Sequence, residues 1–306
     1  MKIKSRQLLL SLVLLVTMVF LYGCASSTTY KESNNVIEAS ALKDELSKSN
    51  VIVIDARSAE DYAVGHLDGA VHLNPSELTV SEPVKATIAP KEQVEAVLSS
   101  KGISNDSIIY VYDNSAGVYA GRVWWTLKAY GHNNIKLING GQKAIESEMN
   151  KGNLAASAAE TNLPESTYVA KDLDASYLAT LDDVKAYSSN PQEGTVLLDV
   201  RSVAEYEEGT IPNAVLYPHT KNLYTDGTFK SDRTIYLDYN KLGIDKDDEI
   251  ILFCKSSYRA TQTALLLEEA GYTNVKVFDG AWIQWSGAGL PVQGTTQTTI
   301  TSQDAS

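Results

Sequence analysis

The chain has 306 residues, a net charge of −12, two cysteines and four histidines. Its acidic balance argues against nucleic acid as a partner and against broad attraction to an anionic membrane surface. Two cysteines cannot supply a disulfide framework, so stability must come from packed apolar cores, and the length suffices for two domains of ordinary size.

In chain order, Lys2, Lys4 and Arg6 precede an apolar run over 8–21, which Leu21-Tyr22-Gly23-Cys24 closes with small residues. The pattern reads as an export signal, and the run is short for a bilayer span of about 20 residues. It resembles a bacterial lipoprotein signal. That resemblance implies removal of 1–23, a lipid on the Cys24 sulfur, and a chain tethered by it to a bacterial membrane on the periplasmic or extracellular face. Loss of the three cations in 1–23 would take the net charge from −12 to −15. A plain secretory signal and an uncleaved anchor are the alternatives.

The remainder carries an internal repeat. Ile54-Asp55-Ala56-Arg57-Ser58 with Tyr62, Gly65, Ala70 and Val71 recurs 144 positions later as Leu198-Asp199-Val200-Arg201-Ser202 with Tyr206, Gly209, Ala214 and Val215. The run from Gly131 to Gly140 recurs 140 positions later, from Gly271 to Gly280. Near-equal offsets in the same order mean a duplicated domain. In each copy a β-rich run ends in Asp-x-Arg (51–55; 196–199), a second strand follows (108–112; 250–253), then a helix, then a short strand closed by glycine (135–138; 275–278). Short apolar strands alternating with helices predict an α/β fold of two domains, each a mostly parallel sheet with helices on both faces. The expected boundaries are 36–155 and 177–293, with an Ala/Ser/Thr/Glu-rich linker at 156–176 and a disordered tail at 294–306.

Cys254 follows the apolar run 250–253 and opens Cys254-Lys255-Ser256-Ser257-Tyr258-Arg259. The residues after it, 260–269, have helical apolar spacing, so the thiol is expected at a strand tip in a loop feeding a helix N-terminus. Backbone N–H groups, the helix start, Lys255 and Arg259 would all favour a thiolate there. A nucleophilic thiolate in such a cradle needs no general base, no metal and no cofactor to carry a sulfur atom. His66, His72, His132 and His219 lack zinc or triad spacing and are expected to be structural. The pairs Asp55/Arg57 and Asp199/Arg201 occur in both copies and are expected to tie strand ends to loops, the latter near the site. Trp124, Trp125, Trp282 and Trp285 are read as core or domain-interface residues.

These motifs, with Glu205-Tyr206, Gly209-Thr210-Ile211-Pro212-Asn213-Ala214, Asp279-Gly280-Ala281-Trp282 and Gly289-Leu290-Pro291-Val292, resemble a rhodanese (sulfurtransferase) domain, and the first copy resembles the same family. The resemblance implies a tandem arrangement whose C-terminal copy is active. In the silent first copy, Asp113 stands where Cys254 stands in the second. It also implies sulfane sulfur transfer: Cys254 takes the outer sulfur of an anionic donor such as thiosulfate, mercaptopyruvate or a small persulfide, and passes it to a thiol or cyanide. Lys255, Ser256, Ser257, Tyr258 and Arg259 would hold the persulfide and attract the donor, and the chain would act as a monomer. Three positions depart from the family: Ser257 replaces a glycine usual in the single-domain loops that this loop resembles, Glu205 stands where tandem enzymes place a donor-binding arginine, and Thr210 replaces a histidine. Two other readings stay open at this level. One is a membrane-tethered scaffold without catalysis. The other is a phosphatase or arsenate reductase on the same fold, against which stands a loop with only four residues between Cys254 and Arg259.

Overall fold

The β-branched runs of each copy become the central strands of a sheet because they can be buried on both faces. The computed structural model describes Tyr30 and residues 33–294; the signal segment with Cys24 and the tail from 295 lie outside the described residues. In the first copy the elements are β1 (Val36–Glu38), β2 (Val51–Asp55), α1 (Ala59–Val64), β3 (Val71–His72), α2 (Lys91–Ser100), β4 (Ile108–Tyr112), α3 (Val118–Ala129), β5 (Ile135–Asn139) and α4 (Gly141–Asn150). The second copy follows with β6 (Leu178–Ala179), α5 (Leu181–Ser189), β7 (Thr195–Asp199), α6 (Val203–Glu208), β8 (Val215–Leu216), α7 (Asp232–Asn240), β9 (Glu249–Phe253), α8 (Tyr258–Glu269), β10 (Val275–Phe278) and α9 (Ala281–Gly287).

The sheets have the same strand order, β1-β5-β4-β2-β3 and β6-β10-β9-β7-β8, with every pairing in both parallel. Parallel strands need crossover connections, so all loops after the strands gather at one sheet edge, where ligands bind in such folds. Residues 158–174 form no regular element. They run along the first copy, burying Tyr168 and Ala170 and bonding Lys171 N to Tyr130 O and Ser166 N to Ser99 O.

One core cluster crosses the boundary between the copies, joining Ile54, Val111, Trp124 and Trp125 to Leu198, Leu252, Ala264 and Leu265. The cause lies in α3 and α8, whose middles are buried nearly all round, from Ala120 to Leu127 and from Ala260 to Leu267. A helix buried around its circumference has to be covered on every side, and here each helix covers the other, with Arg122, Gln262 and Thr263 among the residues enclosed. Their backbones meet at Gly121, where a Cβ would lie 2.9 Å from both the N and the Cα of Gln262. Gly121→Val is therefore expected to push the copies apart at a cost of about 1–3 kcal/mol, the scale of overpacking a close-packed core. Thermal denaturation checks this, and a variant as stable as the parent would contradict the packing described.

Candidate active site between the two copies

Cys254 is the residue immediately after β9, a free thiol with 1% relative exposure at the carboxyl edge of its sheet. Its loop is pinned from below: Trp282 N donates to Cys254 O at 3.0 Å and Ile283 N to Lys255 O at 3.2 Å. Ser257, at the position where a glycine was expected, takes the left-handed conformation at φ 69°. Its buried hydroxyl donates to Asp279 O at 2.5 Å and to Phe278 O at 3.3 Å. Left-handed backbone costs a residue with a Cβ roughly 1–2 kcal/mol, which these bonds offset, so the loop keeps a glycine-like path with a serine in it. The first copy has Gly117 at φ 83° in the matching place before α3.

The first copy shows what such a loop does with an anion. Asp113 is wholly buried, and its carboxylate accepts from Ser115 N at 2.9 Å, Gly117 N at 2.9 Å, Tyr119 N at 2.7 Å and Ala120 N at 2.9 Å. Burial pushes this carboxyl above its ordinary value while the four donors pull it down. Asp113 thus fills its own cradle of backbone donors.

Arg259, in the first turn of α8, reaches Glu205 on α6. Nη1 donates to Oε2 at 2.7 Å and Nη2 to Oε1 at 2.8 Å, a bidentate pair. Glu205 is also the third helical residue of a capping box, accepting from Ser202 N and Ser202 Oγ. The Arg259 bonds, against burial and aided by Ser202, bring the Glu205 carboxyl down to about 2. Arg259 in turn is held above its ordinary value, first by Glu205 and then, against burial, by the nearby Cys254 sulfur. The guanidinium expected to attract an anionic donor is already neutralised by a fixed partner. His219 lies near this pair, held below its ordinary value by burial and then by the charge of Arg259.

Asp199 and Arg201 are buried and joined by Arg201 Nη2 to Asp199 Oδ2 at 2.6 Å, with Arg201 Nη2 also reaching Gly209 O at 2.7 Å. Asp55 and Arg57 repeat this with Gly65 O, and neither pair lines the cleft. Thr210 stands where the first copy has His66, and its hydroxyl donates to Asp199 Oδ2 at 2.8 Å, adding to the same tie. Trp124, Trp125 and Trp285 are core residues, while Trp282 stacks on Arg201 with the guanidinium carbon 4.5 Å from its ring centre.

Cys254 opens into a cleft of about 850 Å³ between the copies. Lys255, Ser256, Tyr258, Arg259 and Ile283 line one side, and the first copy supplies the other through Ser58, Asp61, Asn74, Ser76, Lys85, Asn114 and Tyr119 among others. Sequence reasoning missed this second wall, because it credited the first copy with no part of the site. The first turns of α3 and α8 approach closely enough for the Tyr119 and Tyr258 rings to meet edge to face, with centres 6.0 Å apart. Among the described residues, no group of three or more His, Cys, Asp or Glu side chains could hold a metal ion.

The rhodanese-like domain pattern matches twice, at residues 38–148 and 180–288. The chain belongs to the rhodanese family. Proteins from Mycolicibacterium smegmatis and Saccharopolyspora erythraea, each named "Putative thiosulfate sulfurtransferase", are 31% and 32% identical, over 76% and 79% of this chain and 87% and 90% of their own. A Thermus thermophilus "Sulfur carrier protein" is 30% identical over 76% of this chain and 86% of its own length. Among solved structures, an anaerobic ergothioneine biosynthesis enzyme from Chlorobium limicola superposes with a TM-score of 0.75 at 20% identity, covering 86% of this chain and 71% of its own, which shows the shared fold. In rhodanese terms the chain has two copies of the domain, one with a cysteine in its loop and one with an aspartate.

Proposed function

We propose that this rhodanese is a sulfurtransferase that carries sulfane sulfur on Cys254. One observation carries the reading: the buried thiol sits at a helix N-terminus on the floor of a solvent-reaching cleft, beside Arg259. With thiosulfate as donor, the Cys254 thiolate attacks the outer sulfur, the donor S–S bond breaks, sulfite leaves with the electron pair, and a Cys254 persulfide anion remains. A thiol or cyanide then attacks the outer persulfide sulfur and the Cys254 thiolate is regenerated. Neither step needs a proton relay, so no histidine is called on as a base. The matching loop around Asp113 is a template for how backbone N–H groups would hold the persulfide anion.

The reading is tested by following thiocyanate release from cyanide with thiosulfate, mercaptopyruvate or glutathione persulfide as donor. Turnover above the uncatalysed rate with at least one donor is expected, and none with any of them would overturn the proposal. From residues 2–24 alone, we propose in addition that the mature chain begins at a lipidated Cys24 outside the cytoplasm. Recovery of the full chain in the cytosol with Met1 and no lipid would contradict this.

A further inference from the structure

We propose that Glu205 is a positioning residue for donor choice: by cancelling the charge of Arg259 it makes the Cys254 cleft favour the persulfide of a small organic thiol over the compact dianion thiosulfate. The inference rests on the sulfurtransferase reading above. Arg259 interacts with the Cys254 sulfur, and Glu205 engages both of its terminal nitrogens, at 2.7 and 2.8 Å. The other two cations of the cleft, Lys85 and Lys255, are exposed, and Asp61 lies on the same lining. With the Arg259–Glu205 pair neutral, these three leave a single surplus positive charge, carried on exposed side chains. Thiosulfate carries two negative charges on five heavy atoms and needs concentrated positive charge near the point of attack. The cleft offers instead about 850 Å³, a volume ordinary for drug-sized ligands, with neutral hydrogen-bonding groups at Ser58, Asn74, Ser76 and Asn114. That wall suits a peptide-sized thiol.

The internal repeat gives a reason for the acidic residue. Glu205 corresponds to Asp61, and each follows an Asp-x-Arg-Ser turn as the third residue of a helix whose first turn is capped by that serine. In the first copy the carboxylate accepts from Asn114 beside Asp113, and in the second from Arg259. An acidic residue at the third helical position of both copies, which in the second also caps its helix, has thereby become the counter-ion of the site's arginine. With an organic persulfide, the Cys254 thiolate attacks the outer sulfur of R–S–SH, the donor S–S bond breaks, and RS⁻ leaves with the electron pair and takes a proton from water. Cys254–S–SH results without net oxidation.

The test compares kcat/KM for thiosulfate with that for glutathione persulfide, both with cyanide as acceptor and after subtracting the rate of Cys254→Ser. Glu205→Gln preserves the capping box, in which glutamine serves as well as glutamate, and frees the guanidinium. The thiosulfate-to-persulfide ratio is expected to rise about tenfold, the scale of one charge-assisted hydrogen bond, through a lower KM for thiosulfate. Glu205→Asp, which keeps the charge, should hold the parent ratio, and the double variant Glu205→Gln/Arg259→Gln should return it to within about threefold of the parent. A ratio unmoved or lowered in Glu205→Gln, or raised equally in Glu205→Asp, overturns the inference while leaving the sulfurtransferase reading intact. Absence of Cys254-dependent thiocyanate from every donor overturns both. A helix-capping loss alone would move kcat and thermal stability together and leave the ratio unchanged.

Discussion

Cys254→Ser is expected to lower sulfur transfer by about a thousandfold or more, the scale on which enzymes lose rate when their nucleophile is removed. A serine fits the space of the thiol, 1% exposed between Phe253 and the loop, so folding should be retained. Its hydroxyl cannot hold a transferable sulfur atom, and Arg259 cannot make an alkoxide of it at neutral pH. Thiocyanate formation measures the loss, and thermal denaturation shows that the fold persists. A variant keeping more than about a tenth of the parent rate would remove Cys254 from the centre of the mechanism.

Asp279→Ala is expected to be the most damaging change outside the thiol. Asp279 Oδ1 accepts from Arg122 Nη1 at 2.6 Å and Oδ2 from Ile88 N at 2.6 Å, both in the first copy, while its main-chain oxygen receives the Ser257 hydroxyl. One residue thus ties the seam between the copies to the Cys254 loop. Arg122 is fully buried, stacked between the rings of Trp125 and Tyr258 at 4.9 and 5.5 Å. Removing the carboxylate strands its charge in the core, which costs about 3–5 kcal/mol, a large fraction of the ordinary stability of a protein. The melting temperature should fall by roughly 10 °C, at 2–4 °C per kcal/mol for chains of this order of size, and transfer activity should fall with it as the cleft walls separate. Loss of less than about 1 kcal/mol would show that the seam does not depend on this pair.

The repeat made much of this legible. Offsets of 144 and 140 aligned Asp55/Arg57 with Asp199/Arg201 and Asn139 with Asp279, and the structure gives aligned residues matching work. Asn139 Oδ1 accepts from Phe229 N of the second copy at 2.8 Å, as Asp279 accepts from Arg122 and Ile88 of the first. The alternation of β-branched strands and helices specified parallel sheets because only buried strands are apolar on both faces. What sequence could not show was docking. Nothing local in Ser58, Asn74 or Lys85 says that they face a cysteine about 170 or more positions away. The available signal was α3, where Val118 to Ala129 carries only Arg122, Thr126 and Lys128 among apolar, aromatic and small residues, too few polar groups to leave a solvent face, so that it required a second covering surface. The Arg259–Glu205 pair escaped for a related reason. Glu205 has a sufficient local role as a capping residue, and its second partner comes from another helix.

In the proposed cycle Cys254 accepts and releases one sulfur atom. The most direct measurement is the intact mass of residues 25–306 after incubation with each donor, then again after cyanide. A gain of about 32 Da, one sulfur as in persulfidation, that cyanide removes and that Cys254→Ser never shows is the predicted result. An unmodified mass with every donor, while Cys254 remains free to alkylate, would contradict it.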